Sequence, residues 1–155
     1  MNDLGGPEED PGETYPGAGV VNASFAGTGA LLAVAVVGTL DPDAFGGLTA
    51  VVSGVLFAIG IVAFLWGYAN GVVRSREEKI TLGGLFFLSH TAPRVVRLRL
   101  RGALVVQVLV ATVAAAVRPY TAVAFAVLAP MLGLGLLALW GARYGTFFPR
   151  DEDDG

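Results

Sequence analysis

The chain has 155 residues, of which 54% are hydrophobic, 15% are charged and 22 are glycine. With a mean hydropathy of +0.66 this excludes an ordinary soluble domain, which carries about 25% charge, and makes lipid the second solvent. The lack of cysteine removes disulfides, thiolate metal sites and cysteine nucleophiles, and the one histidine, His90, cannot build a His-rich metal centre.

The formal charge of −3 conceals a partition: −5 in residues 1–17, −4 in residues 151–155 and +6 in residues 18–150. A basic, apolar body therefore carries two acidic tails. The first 17 residues combine Gly, Pro and acid with almost nothing to bury, so they cannot offset the entropy of ordering and are expected to be disordered. Ala18 to Leu40 is uncharged for 23 residues, and at 1.5 Å per residue this exceeds a hydrocarbon core of about 30 Å. It reads as the first transmembrane helix. A cleaved signal peptide is the rival reading, but its leading region should be positive and this one is acidic.

Asp41, Pro42 and Asp43, followed by Gly46 and Gly47, form a short polar stop. Leu48 to Asn70 is a second uncharged span. Arg74 to Lys79 is dense in charge, and the 13 residues Ile80 to Ala92, interrupted by Gly83 and Gly84, are too few to cross. They fit an interfacial segment with Phe86 and Phe87 at the acyl boundary.

Pro93 suits the first residue of a helix, with Thr91 as its cap candidate, that runs through Arg94, Arg97, Arg99 and Arg101 into Gly102 to Val117. The apolar part alone spans only about 24 Å, so the arginines must snorkel at the boundary. Arg118-Pro119 makes the next turn. Thr121 to Gly141 is the fourth span, in which Pro130 should produce a kink by leaving the Ala126 carbonyl without its helical donor.

The expected fold is thus all-α, a four-helix transmembrane bundle with spans at about 18–40, 48–70, 97–117 and 121–141, a loop at 72–101 and an acidic tail at 151–155. If both termini share one side, that side holds none of the Lys and Arg in the N-terminal tail, seven in residues 72–101 and two after the fourth span, against Arg118 alone opposite. The positive-inside rule then places both termini in the cytoplasm, in a multi-pass plasma-membrane protein. Trp66, Tyr68, Trp140 and Tyr144 on one side and Tyr120 on the other are candidate interfacial anchors.

Leu65-Trp66-Gly67 and Leu139-Trp140-Gly141 open matching strings, L-W-G-x-x-x-G, at an offset of 74. They point to two helix hairpins in parallel, against the alternative that Trp and Gly recur at a boundary by composition.

Transport and proton relay call for ionisable groups inside the bilayer, and no span has one in its central stretch. Small multidrug-resistance transporters share the four spans but depend on a glutamate in the first, which Ala18 to Leu40 lacks. Gln107 shares a helical face with Ala103, Ala111 and Ala115, a small-residue stripe across which its amide can bond to another helix. Ala50, Gly54 and Ala58, then Ala63, Gly67 and Gly71, give the second span two further ridges of small residues. Gly54, Gly67, Gln107 and Ala111 are therefore the helix-packing candidates.

Arg94, Arg97, Arg99 and Arg101 form a cluster suited to anionic lipid headgroups or a protein partner; a topogenic stop signal is the plainer reading. Nucleic acid does not fit, because acidic tails lie on the same side. Ser89 and His90 have no acid placed to orient the imidazole, and no Walker A, G-x-S-x-G or H-E-x-x-H pattern occurs, so neither an enzyme nor a cofactor is expected.

Pro93-Arg94-Val95-Val96-Arg97, together with the run from Leu139 to Arg150, resembles uncharacterised small membrane proteins of actinobacteria over residues 74–150. The resemblance implies four helices in a plasma membrane and no transferable activity. The functional expectation is a scaffold or accessory subunit of a membrane complex, partnered by lipid and by another protein or further copies of itself. A small oligomeric transporter or channel for an apolar solute, with a path lined by Gln107 and Thr112, is the alternative.

Overall fold

The computed structural model of the chain describes residues 16–74, Leu88 and residues 92–146. The helices are α1 (Ala18–Leu40), α2 (Pro42–Arg74), α3 (Arg94–Val117) and α4 (Met131–Tyr144), with a 3-10 segment at Ala122–Leu128 before α4. The fold is an all-α four-helix bundle with no strand among the described residues. Four helical stretches, the last running from Ala122 to Tyr144, are long and apolar enough to cross a membrane. The expected acidic tails, apart from Pro16 and Gly17, lie outside the described residues, as do the interfacial segment except for Leu88 and Ala92, Thr91, and the Ser89–His90 pair.

The helices sort their faces by size. In α1 the buried positions are Val21, Ser24, Gly27, Leu31, Ala35 and Gly38, a stripe at spacings of three and four that is mostly small, while Phe25, Leu32, Val36 and Leu40 point outward. On α2, Val51, Val55, Ile59 and Val62 are likewise exposed and Thr49, Ser53 and Ala63 are buried. In water this arrangement would leave continuous apolar patches of a kind monomeric proteins avoid. In lipid, tails cover the large side chains and the small stripes let helix backbones approach. This is a multi-pass membrane architecture.

The sharp turn between α1 and α2 departs from the sequence expectation. The polar stop does not extend from Asp41 to Gly47, because α2 begins at Pro42. Asp41 is both the C-cap of α1, its N–H donating to the Val37 carbonyl at 3.0 Å, and the N-cap of α2, its Oδ1 accepting the Ala44 N–H at 3.0 Å. Proline at the first helical position loses nothing, since that N–H has no helical partner anyway. At 33 residues α2 is about 50 Å long and must project beyond a hydrocarbon layer of about 30 Å.

Two further turns are tied by side chains. Thr49 Oγ1 donates toward the Val34 carbonyl of α1 at 2.8 Å and lies 3.1 Å from the Phe45 carbonyl of its own helix. This approach needs Gly38, because a Cβ there would strike the Thr49 hydroxyl. At the same end Arg118 follows α3 and its Nε donates to the Thr39 carbonyl at 3.1 Å. A cation thereby meets an orphan carbonyl at the negative end of the α1 dipole.

The fourth span is broken where a kink was expected. Ala122–Leu128 winds as a 3-10 helix, a turn follows at Ala129 and Pro130, and α4 starts at Met131. The Ala126 carbonyl is not left without a donor: it accepts the Ala129 N–H at 3.1 Å. Tightening to i→i+3 bonds before the proline resolves the clash that an α-helical Pro130 would impose on this carbonyl.

α2 lies mainly along α4 and the 3-10 segment, and α1 lies beside both α2 and α3 while also reaching α4 across the bundle. One apolar cluster joins Leu31, Leu56, Ala111, Val123, Leu132 and Leu136. A second closes the end near the chain termini, where Leu88 and Val96 pack with Val21, Leu100, Leu137 and Trp140.

Candidate functional site

The most concentrated polar chemistry in the bundle centres on Gln107. It is fully buried, on the same α3 stripe as Ala103 and Ala111. Its Oε1 accepts the backbone N–H of Gly133 at 3.1 Å, and its Nε2 donates to Thr28 Oγ1 at 2.8 Å. Thr28 Oγ1 in turn donates to the Ser24 carbonyl at 2.8 Å. Thr28 and Gln107 both lie near the middle of their helices, and Gly133 is the third residue of α4. One amide therefore links α1, α3 and α4 and caps a helix that starts deep within the bundle.

That cap answers the cost of the break. The first N–H groups of any helix lack intrahelical acceptors, and in hydrocarbon no water can replace them. The Leu132 N–H reaches the Ala129 carbonyl and the Leu134 N–H the Pro130 carbonyl, so Gly133 is the donor that Gln107 serves. A Cβ on Gly133 would lie 2.8 Å from Gln107 Oε1 and 3.0 Å from Leu104 Cδ1, so a side chain there would displace the capping amide. The hydroxyls of Ser24 and Ser53, both buried, have no hydrogen-bond partner among the described residues.

The α2–α4 contact is carried by glycine. A Cβ on Gly60 would sit 2.5 Å from the Met131 carbonyl group and the Leu132 nitrogen, and one on Gly67 would sit 2.7 Å from Ala138 C and Leu139 N. Gly60 was not on the sequence-derived ridges, although it does most to bring the two backbones together. Gly54 is on them, but within this chain a Cβ at Gly54 meets nothing within 4 Å, so it does not draw α2 to another helix of the bundle. The ridge of Ala50, Gly54 and Ala58 faces outward or sideways, whereas Ala63, Gly67 and Gly71 are buried. Ala111 is buried in the apolar core.

The two tryptophans have opposite environments. Trp66 is 63% exposed and Trp140 is 1% exposed. Trp140 is therefore no headgroup anchor: its Nε1 donates to the Pro16 carbonyl at 3.1 Å, and its ring lies 5.8 Å from that of Tyr144. Gly17, at φ 76°, turns the chain over the indole, and a Cβ at Gly17 would meet Trp140 Nε1 and Cδ1. Tyr120, at the other end, is fully exposed.

Arg94 and Arg99 are exposed and Arg97 and Arg101 are half-buried, all on the first two turns of α3. Two grooves open on the outer wall. One, of about 410 Å³, lies between α1 and α3 and is lined by Leu32, Val36, Leu40, Leu109 and Val113 with neighbouring small residues. The other, of about 560 Å³, lies between α2 and α4. Gln107 lines neither, and Thr112, exposed on α3, lies on a different face from it. No cluster able to hold a metal ion occurs among the described residues. Comparison of the chain with protein-family models, curated proteins and solved structures found no match.

Proposed function

We propose that this multi-pass protein is a scaffold or accessory subunit of a plasma-membrane complex, with both termini in the cytoplasm and the segment 72–101 as its docking or lipid-facing element. The observation that carries this reading is the Gln107 tie. Gln107 is fully buried, its amide is engaged by Thr28 and Gly133, and it lines neither of the outer grooves, so it faces no open path for a solute. What the bundle presents outward instead is a broad apolar wall, with Val51, Val55, Val62 and Leu65 on α2 and Val105, Leu109 and Val113 on α3. Arg94, Arg97, Arg99 and Arg101 stand at one end of that wall, where cations attract anionic headgroups or an acidic partner surface. No catalytic step is assigned to the chain.

Crosslinking of the full chain in its native membrane, followed by purification in mild detergent and mass spectrometry, tests the proposal. A stoichiometric protein partner is the expected result, and a chain recovered alone and monomeric is the contrary one.

The second reading, a small oligomeric transporter for an apolar solute, draws on the break in the fourth span and on the partnerless hydroxyls of Ser24 and Ser53, since discontinuous helices commonly mark transport sites. Proteoliposomes holding only this chain and moving an apolar dye across the bilayer would favour it.

A further inference from the structure

We infer that the groove between α2 and α4 is a binding site for one anionic phospholipid of the leaflet at the Arg143 end of the bundle. Ile59 and Val62 form one wall, Leu136 and Leu139 the other, with Trp66 and Arg143 as the last lining residue of each helix toward the end of the bundle where the chain termini lie. From Ile59 to Trp66, and from Leu136 to Arg143, is seven residues of helix. That is about 10.5 Å of rise on each wall. Because Gly67 lies opposite Ala138 and Leu139, the walls are staggered, so the groove runs about 18 Å from Ile59 to Arg143, across the depth of about 15 Å of one leaflet's hydrocarbon and into its headgroup layer. The groove thus has the length, direction and apolar lining for an acyl chain running along the helices, and it ends in an indole and a guanidinium at headgroup depth.

The end groups select the headgroup. Trp66 is 63% exposed, as suits an indole at the lipid–water boundary. Arg143 is exposed in the last turn of α4, with its guanidinium carbon 5.8 Å from the centre of the Tyr144 ring. Among the described residues the only carboxylates, Asp41 and Asp43, lie at the opposite end of α2. Arg143 therefore puts one cation at the mouth of the groove, which complements a phosphate that carries net charge and gains little from a zwitterionic headgroup. The volume of about 560 Å³ falls in the range of about 300–1,000 Å³ typical of small-molecule sites. Beside the groove, Gly60 and Gly67 let the α2 backbone lie against α4. The site stands apart from the arginine cluster of α3 and does not depend on which protein the chain assembles with.

Trp66 itself is the probe. The full chain is reconstituted in phosphatidylcholine vesicles containing increasing fractions of phosphatidylglycerol, with one or the other lipid brominated on its acyl chains, and quenching of tryptophan emission is measured. Trp140, enclosed in the bundle, contributes a constant background, and Trp66→Phe identifies the responsive signal. The expected result is a preference for phosphatidylglycerol at Trp66 of roughly fivefold, the effect of one basic residue near the surface. Arg143→Gln should bring the preference to unity, and the double variant Arg94→Gln/Arg97→Gln should leave it intact. Equal quenching by the two lipids, a preference that survives Arg143→Gln, or a Trp66 shielded from both brominated lipids by protein would each overturn the inference.

Discussion

Gln107 of α3 and Gly133 of α4 are joined by a side chain to backbone hydrogen bond of 3.1 Å that caps a helix starting inside the bundle. Replacing Gln107 removes the cap as well as a link to α1, whereas replacing Thr28 removes only the link. Gln107→Ala is expected to destabilise the bundle by about 2 kcal/mol, because it strands the Gly133 N–H in a buried site. Thr28→Val should cost about 0.6 kcal/mol, the mean for an interhelical bond in a membrane protein. Reversible unfolding in mixed detergent micelles measures both, and equal losses would mean that the cap has no energetic weight.

Gly60 and Gly54 lie on one helix and should respond in opposite ways. Gly60→Ala forces a methyl against the Met131 and Leu132 backbone, which cannot yield as a side chain can, and a loss of about 1–3 kcal/mol follows from overpacking. Gly54→Ala meets open space and gains up to about 1 kcal/mol in helix propensity. Thermal unfolding of the two variants in the same detergent reads the difference directly.

Arg118 and Asp41 hold the end of the bundle away from the termini. Arg118→Ala removes a charged donor from the Thr39 carbonyl and should cost about 0.3–1 kcal/mol. Asp41→Ala removes the cap on the Ala44 N–H and should cost about 1 kcal/mol. Arg118 binds the carbonyl of Thr39, two residues from Asp41, so the two sites are close enough to couple and the double variant should depart from the sum in the same unfolding assay.

Gly17 controls how the N-terminal segment meets Trp140. Gly17→Val combines a left-handed backbone that valine resists with a side chain directed at the indole. In a Trp66→Phe background, this change should release Trp140 Nε1 from the Pro16 carbonyl and shift the indole emission to longer wavelength. Unchanged emission would show that the indole is enclosed without that contact.

The sequence made the bundle legible because the solvent dictates it. The charge-free run fixes α1 at Ala18 to Leu40, and the structure has the same bounds. Asp-Pro misleads at the start of α2 because the pair that initiates a turn is also an N-cap followed by the first helical residue. The 3-10 winding of Ala122–Leu128 leaves no mark in its composition, since an all-apolar run has no periodicity to read. Gln107 stood out as a polar residue on a small-residue face, but its acceptor role at Gly133 depends on where Pro130 breaks the span. Gly60 is hidden because it stands three residues before Ala63 and seven before Gly67, off the four-residue spacing of the Ala63, Gly67 and Gly71 ridge. Trp66 and Trp140 occupy matching strings yet face out and in, because Gly67 turns its face of α2 to α4 and leaves Trp66 on the outer side, while the end of α4 is covered by Pro16, Leu88 and Val96.

The central claim is that four apolar spans cross the bilayer and leave both ends of the chain on the arginine-rich, cytoplasmic side. With no native cysteine in the chain, single cysteines at Tyr120, between α3 and the fourth span, and at Thr146, after α4, can be labelled in intact cells with a membrane-impermeant maleimide. The account predicts that Tyr120→Cys is labelled from outside and Thr146→Cys only after the membrane is opened. A Thr146→Cys chain labelled in intact cells, or a Tyr120→Cys chain protected in them, would contradict it.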